Sequence, residues 1–541
     1  MADRGARRIA AAAAALLLAL GAAACTRVDA PASGGLHAWT QPDRVRIAST
    51  EEPDSLDALF ANSDAGAQVD ALLFAPLFRY DDAGDYVPEL ATAVPTLANG
   101  GISRDGRTIV LHLRSGVRWS DGAPLDARDL RFTWQAVMNP RNNTRLRSGW
   151  DDVIAIDLPD RTTAVVHLRE PYASILGAMA AFPPLPAHLL AALPDLNHAA
   201  FNEHPVSSGP YVLSAWNHGS SLEFAANPYY WRGRPAIARV SYRIIPDDDT
   251  LFAALQTHDI DVDDSLTEAQ IARLSSLSGY TIQRRLTANV RHIEFNCAQP
   301  ILADVRVRRA IAEAVDWDRM NATVFHGYNV RATSDILPGS WADPHVPPYP
   351  YDLAGAKRLL DAAGWRTGPD GIRRRRGTSL SVAISTTPAK PANVQAEVQM
   401  QQELRAAGID LRVKNYPTSL LFAQDGPLYG GRYDLSLTID TGAPDPDNEG
   451  AWSGAFIPPH GANTSFLDDA VLTATSHAAA RTFDRVARAA LYAREEARIH
   501  ELVPAVFLYW QVAAAVVNGD LRHYHAARFL SSNVDAWRWS Y

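Results

Sequence analysis

The feature that most constrains the fold is the N-terminus of the chain. Arg4, Arg7 and Arg8 form a basic head, and residues 9–24 form an unbroken run of small and apolar side chains that ends at Cys25. This run is shorter than the ~20 residues that a membrane-spanning helix needs, and polar residues follow it. It therefore indicates a secretory signal, and the remainder of the chain must fold outside the cytoplasm.

The cysteine at the end of this segment has a specific interpretation. Small residues at 22–24 precede Cys25, a pattern similar to the lipobox of bacterial lipoproteins, in which the cysteine becomes the acylated first residue. We expect residues 1–25 to be a lipoprotein signal peptide and residues 26–40 to be a flexible tether. The alternatives are cleavage by ordinary signal peptidase, because Ala22 stands where the pattern usually has Leu, and an uncleaved anchor.

The cysteine count restricts how the exported chain is stabilised. Only two Cys occur in 541 residues, so acylation of Cys25 would leave Cys297 as the sole thiol. One thiol cannot form an internal disulfide, and the fold must depend on core packing. Cys297 follows an apolar strand pattern, where a free Cys usually packs as a small core residue.

Composition excludes one broad class of function. The formal net charge is −9, and removing the Arg-rich signal makes the chain more acidic. Sequence-independent binding to nucleic-acid phosphates is therefore not expected. The length allows two to four domains at about 100–200 residues each.

Local patterns alternate short strands with amphipathic helices. Residues 108–113 predict a strand, and Asp126 is the expected N-cap of the helix that follows. Two further helices are predicted to end at Gly364 and at Gly408, with a strand at 409–413 directly after the second. Helices joined to short strands in this way indicate α/β lobes.

Seven short motifs occur in order along the chain. They lie at residues 53–57, 105–129, 208–211, 227–231, 304–311, 356–365 and 445–448, where they read PDSLD, DG followed by LRSGVRWSDGAPL and ARD, SGPY, NPYYW, DVRVRRAI, AKRLL with AGW, and DPDN. Together they resemble the family 5 extracellular solute-binding proteins of bacteria, which are the oligopeptide, dipeptide and nickel receptors of ABC importers. The resemblance spans about residues 43–515.

The resemblance implies an α/β fold of the type II periplasmic-binding-protein class. It has two lobes hinged by two crossing strands, with an extra subdomain on the first lobe. The crossing strands are expected near residues 290–296 and 503–517. The resemblance assigns residues 41–80, 205–286 and 515–541 to the first lobe. It assigns residues 81–204 to the extra subdomain and residues 287–514 to the second lobe.

Catalytic and metal-binding patterns give no support to an enzyme. The sequence contains no His-Glu-x-x-His, no Gly-x-Ser-x-Gly and no phosphate-binding Gly-rich loop ending in Lys-Ser or Lys-Thr. We expect no cofactor and no metal. The histidines at 188, 198, 204, 523 and 525 do not have the spacing of metal ligands. The acidic runs at 247–249 and 261–264 are interpreted as structural and not as metal sites. The basic run Arg373–Arg376 is predicted to be a solvated hairpin tip.

The ligand site follows from the chemistry of peptides. An enclosed peptide ammonium needs a carboxylate, because an unpaired buried charge is costly. In the peptide receptors of the resembled family, an Asp between a second-lobe strand and an Asp-Pro element pairs with the ammonium. The strand predicted at 433–439 makes Asp440 the first candidate and Asp445 the second, with helix capping or turn formation as the alternative role of each.

Other predicted ligand contacts are less tightly defined. Asn62, Ser63 and Asp64 occupy a stretch that often faces the cleft in the resembled family, and Trp452 follows the acidic loop closely. Aromatic side chains offer broad apolar contact to variable ligands. The sequence does not single out an Arg for a ligand carboxylate.

The sequence thus predicts a non-enzymatic, lipid-anchored, monomeric receptor in the cell envelope or periplasm. It would capture a small solute, with a peptide as first choice, between two closing lobes and deliver it to the permease of an ABC importer. Other solutes stay open, namely a nickel chelate, an oligosaccharide or a cationic small molecule. An exported hydrolase or a chaperone-like factor is the alternative of a different class.

Overall fold

The computed structural model describes residues 35–144, 147–266, 268–271, 273–274, 277–388, 391–529 and 531–541. Residues 1–40 and 41–541 are separate units. In the first, the Thr40 N–H donates to the carbonyl oxygen of His37 at 3.0 Å, and the rings of His37 and Trp39 stack at 5.3 Å. The predicted signal peptide, its lipidation site Cys25 and most of the tether lie outside the described residues.

The second unit alternates strands and helices along the chain. The strands are β1 (Arg44–Ser49), β2 (Phe78–Tyr80), β3 (Tyr86–Pro88), β4 (Thr108–His112), β5 (Val153–Asp157), β6 (Thr163–Leu168), β7 (Tyr211–Asn217), β8 (Ser221–Ala226), β9 (Arg239–Ile244), β10 (Val262–Leu266), β11 (Tyr280–Phe295), β12 (Val330–Arg331), β13 (Arg366–Thr367), β14 (Arg373–Arg375), β15 (Thr378–Ser379), β16 (Ser381–Ser385), β17 (Asp410–Val413), β18 (Leu435–Thr441) and β19 (Ala505–Asn518). The helices are α1 (Asp64–Leu73), α2 (Ala127–Met138), α3 (Ile175–Ala181), α4 (Ala187–Leu190), α5 (Asp248–Gln256), α6 (Glu268–Ile271), α7 (Val305–Ala314), α8 (Trp317–Val324), α9 (Leu353–Ala362), α10 (Pro391–Ala407), α11 (Thr418–Leu421), α12 (Glu449–Trp452), α13 (Ala470–Ala480) and α14 (Arg485–Leu502).

One large mixed sheet runs through the unit in the order β17-β16-β18-β11-β19-β10-β1-β9-β8-β7, with β12 also paired to β19. Its two longest strands, β11 and β19, lie in the middle and pair antiparallel from Tyr280 opposite Asn518 to Glu294 opposite Ala505. These are the two predicted crossing strands, and β11 begins well before its predicted start. A separate three-stranded sheet, β4-β6-β5, lies within the predicted extra subdomain.

The crossing strands take part in two large hydrophobic cores. Ala515 and Val517 of β19 belong to the core that also contains β1, α1 and β4. Ile293 of β11 and Val506 and Leu508 of β19 belong to a second core formed with α7 and α10. The beginning of β19 is thus buried in one core and its end in the other. A strand shared by two cores in this way confirms the two-lobed α/β fold. The residue ranges assigned to the lobes stay predictions.

Local signals explain several helix ends. Asp126 caps α2, since its Oδ1 accepts from the Arg128 N–H at 3.0 Å, and the Asp126 N–H donates to Asp129 Oδ2 at 2.9 Å to complete a capping box. Gly364 and Gly408 follow α9 and α10 at φ values of +85° and +88°. Glycine adopts this left-handed conformation without strain, so both predicted helix ends are confirmed.

The prediction that Arg373–Arg376 is a solvated hairpin tip is wrong for its first residue. Arg373 lies in β14, the central strand of a small sheet, and is only 4% exposed. Its guanidinium donates to Asp361 Oδ1 at 2.7 Å and to the Trp365 and Ala407 carbonyl oxygens at 2.8 and 3.0 Å. Arg373 therefore satisfies acceptors near the C-terminal ends of two helices. Arg374 and Arg375 also belong to β14, and of the four arginines only Arg376 lies in the turn.

Candidate functional site

The two crossing strands are irregular at their centre. Leu286 pairs with Val512, but the next pair is Val290 with Trp510, so residues 287–289 form a bulge in β11. Polar contacts hold this bulge. The Thr287 hydroxyl donates to the Gln511 carbonyl oxygen at 2.9 Å. A bulge locally disrupts the strand ladder and increases its twist, which makes this segment the natural bending point between the lobes.

Asp440 lies beside this bulge. It is in β18 opposite Val290, one residue before the strand end, and not in the following loop as expected from the sequence. Its side chain is 68% exposed, and its Oδ2 atom lies 3.7 Å from Nε2 of His292. The carboxylate is therefore accessible beside the crossing strands.

His292 is a site residue that the sequence analysis missed. It is buried in β11, its Nε2 lies 3.2 Å from the Thr438 hydroxyl, and its Nδ1 has no hydrogen-bond partner among the described residues. Its ring lies 6.1 Å from that of Phe507. The signal that could have found it is the two-residue period of β11, which places His292 and Glu294 on one face of the sheet.

Glu294 continues this polar face into the second lobe. Its carboxylate is buried and accepts the Thr464 hydroxyl at 2.8 and 2.9 Å. Burial raises the pKa of Glu294 to about 7, and the nearby negative charge of Asp440 acts in the same direction, while His292 opposes it. This face thus combines an exposed acid with a buried acid that is readily protonated.

Asp445 is placed very differently from Asp440. Its two oxygens accept from the Arg488 guanidinium of α14, both at 2.7 Å, and Oδ1 also accepts from the Ser174 hydroxyl at 2.8 Å. The side chain is 9% exposed. The carboxylate is therefore engaged in joining α14 to the segment before α3, and a ligand-binding role for Asp445 stays a prediction.

Trp452 is buried in the second lobe. It is 5% exposed, and its indole N–H donates to Asp335 Oδ2 at 2.7 Å. Its ring packs edge-on against that of Phe507 at 6.1 Å, and Phe507 in turn contacts His292. Trp452 thus connects to the Asp440 region through one intervening aromatic ring, and its predicted ligand contact stays untested.

The predicted contacts at residues 62–64 lie at the start of α1. Ser63 is the N-cap and accepts from the Gly66 N–H at 3.0 Å, while its hydroxyl donates to Asp54 at 2.8 Å. Asp64 is exposed in the first turn. Asn62 lines an open cavity of about 740 Å³ whose walls include neither Asp440 nor His292.

Charged side chains elsewhere are mostly paired within the protein. His525 lies 2.6 Å from Asp82, and His188 lies 2.8 Å from Asp121. In the described ranges, no group of three or more His, Cys, Asp or Glu side chains is arranged to hold a metal ion. Cys297 is buried, as predicted, and burial raises the pKa of its thiol to about 11. Among these same residues, no helix is long and apolar enough to cross a membrane.

Comparison with known protein families gives a match over most of the second unit. The family model described as bacterial extracellular solute-binding proteins, family 5, middle region, matches residues 85–457. Protein XP55 of Streptomyces lividans is 32% identical over 405 residues, which cover 74% of this chain and 72% of that protein. The oligopeptide-binding protein AppA of Bacillus subtilis is 25% identical over 426 residues, covering 76% and 77% of the two chains.

Solved structures share the fold. NikZ from Campylobacter jejuni, crystallised in complex with Ni(L-His), superposes with a TM-score of 0.78 and 25% identity, over 93% of this chain and 100% of its own. AppA of Bacillus subtilis in complex with a nonapeptide superposes with a TM-score of 0.76 and 23% identity, over 92% and 99% of the two chains. These superpositions include both lobes and the crossing strands.

Proposed function

The chain belongs to the bacterial extracellular solute-binding proteins of family 5, and on that premise we propose that its solute is a peptide whose ammonium group pairs with Asp440. The family consists of solute-binding proteins that serve ABC importers, and this chain is a receptor of that kind. Its role is to bind a solute outside the cytoplasm and present it to a membrane permease.

The observation that carries the peptide proposal is the position of Asp440. Its exposed carboxylate stands beside the bulge of the crossing strands, with no guanidinium within ion-pair distance among the described residues. A carboxylate that the protein leaves unneutralised can form a charge-assisted hydrogen bond with a ligand ammonium when the cleft closes. Ligand contacts from both lobes would then stabilise the closed state.

Two relatives support this choice of solute. AppA is described as an oligopeptide-binding protein and has been crystallised with a nonapeptide. NikZ, with comparable structural similarity, holds a nickel-histidine complex, so a chelated metal is the alternative solute.

The test compares peptides with and without a free ammonium group. Asp440→Asn is expected to weaken binding of free-amino peptides by about 10- to 100-fold, because a charged hydrogen bond is lost, and to leave N-acetylated peptides almost unaffected. Isothermal titration measures both affinities. The matched control is Asp425→Asn, an exposed Asp elsewhere in the second lobe. Equal losses for both peptide classes would sink the assignment of Asp440.

Native mass spectrometry addresses the solute class independently of any single residue. Purification from a bacterial host is expected to retain a ladder of peptide masses that is released on mild denaturation. A single defined adduct that contains a metal would replace the peptide proposal with a dedicated chelate receptor. Labelled peptides are expected to remain intact during incubation, since we propose that the protein binds without catalysis.

We also propose that the receptor is anchored by acylation of Cys25 and acts as a monomer. The basis is the sequence pattern of residues 1–25. Cys25→Ala is expected to move the protein from the membrane fraction to the soluble fraction and to abolish incorporation of labelled fatty acid. Cys297→Ala is the matched control, because Cys297 is the buried thiol in the second lobe. Membrane association that survives Cys25→Ala would contradict the anchor.

A further inference from the structure

A second cavity lies away from Asp440, next to the turn that follows β4. It has a volume of about 380 Å³ and is lined by Thr92, residues 114–117 and Trp231. The first two segments belong to the predicted extra subdomain and Trp231 to the predicted first lobe. None of the residues discussed as ligand contacts lines this cavity, so it requires its own explanation.

Arg114 brings an unneutralised positive charge to this cavity. Its Nε donates to the Glu89 carbonyl oxygen at 2.6 Å, and the guanidinium lies over the Trp231 ring at 4.3 Å from the centroid. In the described part of the chain, no carboxylate lies within ion-pair distance of Arg114, and no acceptor takes the protons of its terminal nitrogens. These nitrogens form the part of the guanidinium that binds oxyanions through two parallel hydrogen bonds.

The nearest acid cannot neutralise Arg114, because other groups already engage it. The Glu89 carboxylate accepts from Arg232 at 2.7 and 3.1 Å and lies 3.5 Å from Arg79. Arg79 also lies 3.5 Å from Asp535. Arg79 and Arg232 therefore share Glu89 and Asp535, and the positive charge of Arg114 is left over.

Trp231 places a second cation close to Arg114. The Arg114 guanidinium lies 4.3 Å and the Arg232 guanidinium 4.1 Å from the centroid of the Trp231 ring. Cation–π contact with the indole therefore holds both positive groups near the cavity wall. Gly116 adds no obstruction, since a Cβ at that position would meet nothing within 4 Å.

We propose that this cavity binds an oxyanion of the phosphate class through Arg114, whose guanidinium stacks on the Trp231 ring. A phosphate group has enough oxygens to accept from both terminal nitrogens of Arg114 and from the Ser115 hydroxyl. The same chemistry is offered by free inorganic phosphate and by the headgroup of an anionic phospholipid in the membrane that the receptor serves. The site is separate from the peptide site and does not depend on it.

The first experiment titrates inorganic phosphate into the full-length chain carrying Cys25→Ala, so that no acyl group contributes. Saturable binding is expected, and Arg114→Gln is expected to weaken it by at least ~10-fold because the bidentate contact is lost. Arg104→Gln is the matched control, since Arg104 is an exposed arginine in the same subdomain. Trp231→Phe leaves a smaller and weaker aromatic surface beneath the Arg114 guanidinium, and a smaller loss is expected.

A vesicle experiment separates the two sources of the anion. Stronger retention on vesicles of phosphatidylglycerol and phosphatidylcholine than on phosphatidylcholine alone, abolished by Arg114→Gln, identifies a lipid headgroup. Phosphate binding without this difference identifies a free anion, and either result supports the site. The proposal is overturned if phosphate and anionic vesicles both fail to bind, or if Arg114→Gln and Trp231→Phe, checked for native stability, bind as the parent does.

Discussion

Asp440 and Asp445 lie five positions apart, yet the structure uses them in opposite ways. Asp440 is 68% exposed, and its carboxylate lies 3.7 Å from the imidazole of His292. Asp445 is 9% exposed and forms a bidentate pair with Arg488 at 2.7 Å. One acid is available to a ligand, whereas the other stabilises the contact between α14 and the segment before α3. The difference teaches that proximity in sequence to a binding motif does not by itself make a carboxylate a ligand contact.

The largest expected effect is the difference in protein stability between the Asp445→Asn and Asp440→Asn variants. Asp445→Asn removes the partner of a buried guanidinium, and breaking such a pair is expected to lower the free energy of unfolding by ~3–5 kcal/mol. Asp440→Asn changes an exposed, weakly paired group and is expected to cost less than ~0.5 kcal/mol. Denaturant unfolding of both variants measures the difference. Similar losses would remove the distinction between a structural and an available acid.

The sequence could predict the fold elements around Asp440 and Asp445 but not the different surroundings of the two carboxylates. The crossing strands follow from the family resemblance, whereas the Asp126 cap and the glycine helix ends follow from local patterns. The structure confirms all of them. Arg488 lies 43 positions from Asp445, and Ser174 lies 271 positions away. No local pattern specifies such pairings, because they depend on how distant segments pack. The same reason explains the error at Arg373, whose acceptors lie at the ends of two other segments.

A second, smaller effect extends the comparison to Glu294, the buried acid on the Asp440 face. Its pKa of about 7 lies above the ordinary value of 4.5, so the folded protein holds this proton more tightly than the unfolded chain does. The stabilisation from this group is therefore complete below about pH 4.5 and is lost as the pH rises through 7. Glu294→Gln keeps a neutral side chain at every pH.

Unfolding measurements over a pH series test this expectation. At pH 8, Glu294→Gln is expected to exceed the parent protein in unfolding free energy by about 3 kcal/mol, and the gap should close as the pH falls to about 4. Asp440→Asn is the control, because an exposed carboxylate is not expected to change the pH profile to this extent. Parallel pH profiles for Glu294→Gln and the parent would show that Glu294 is not kept neutral by burial.

The smallest expected effect concerns His292, whose imidazole lies beside Asp440. The 3.7 Å between His292 Nε2 and Asp440 Oδ2 exceeds a hydrogen bond, so His292 orients the carboxylate weakly. His292→Gln is expected to lower the affinity for free-amino peptides by only about two- to threefold, within the range of weakly coupled ion pairs. Titration of free-amino and N-acetylated peptides into this variant, beside Asp440→Asn, measures the ratio. A loss as large as that of Asp440→Asn for both peptide classes would make His292 a direct ligand contact, and the polar face of β11 would then replace Asp440 as the centre of the site.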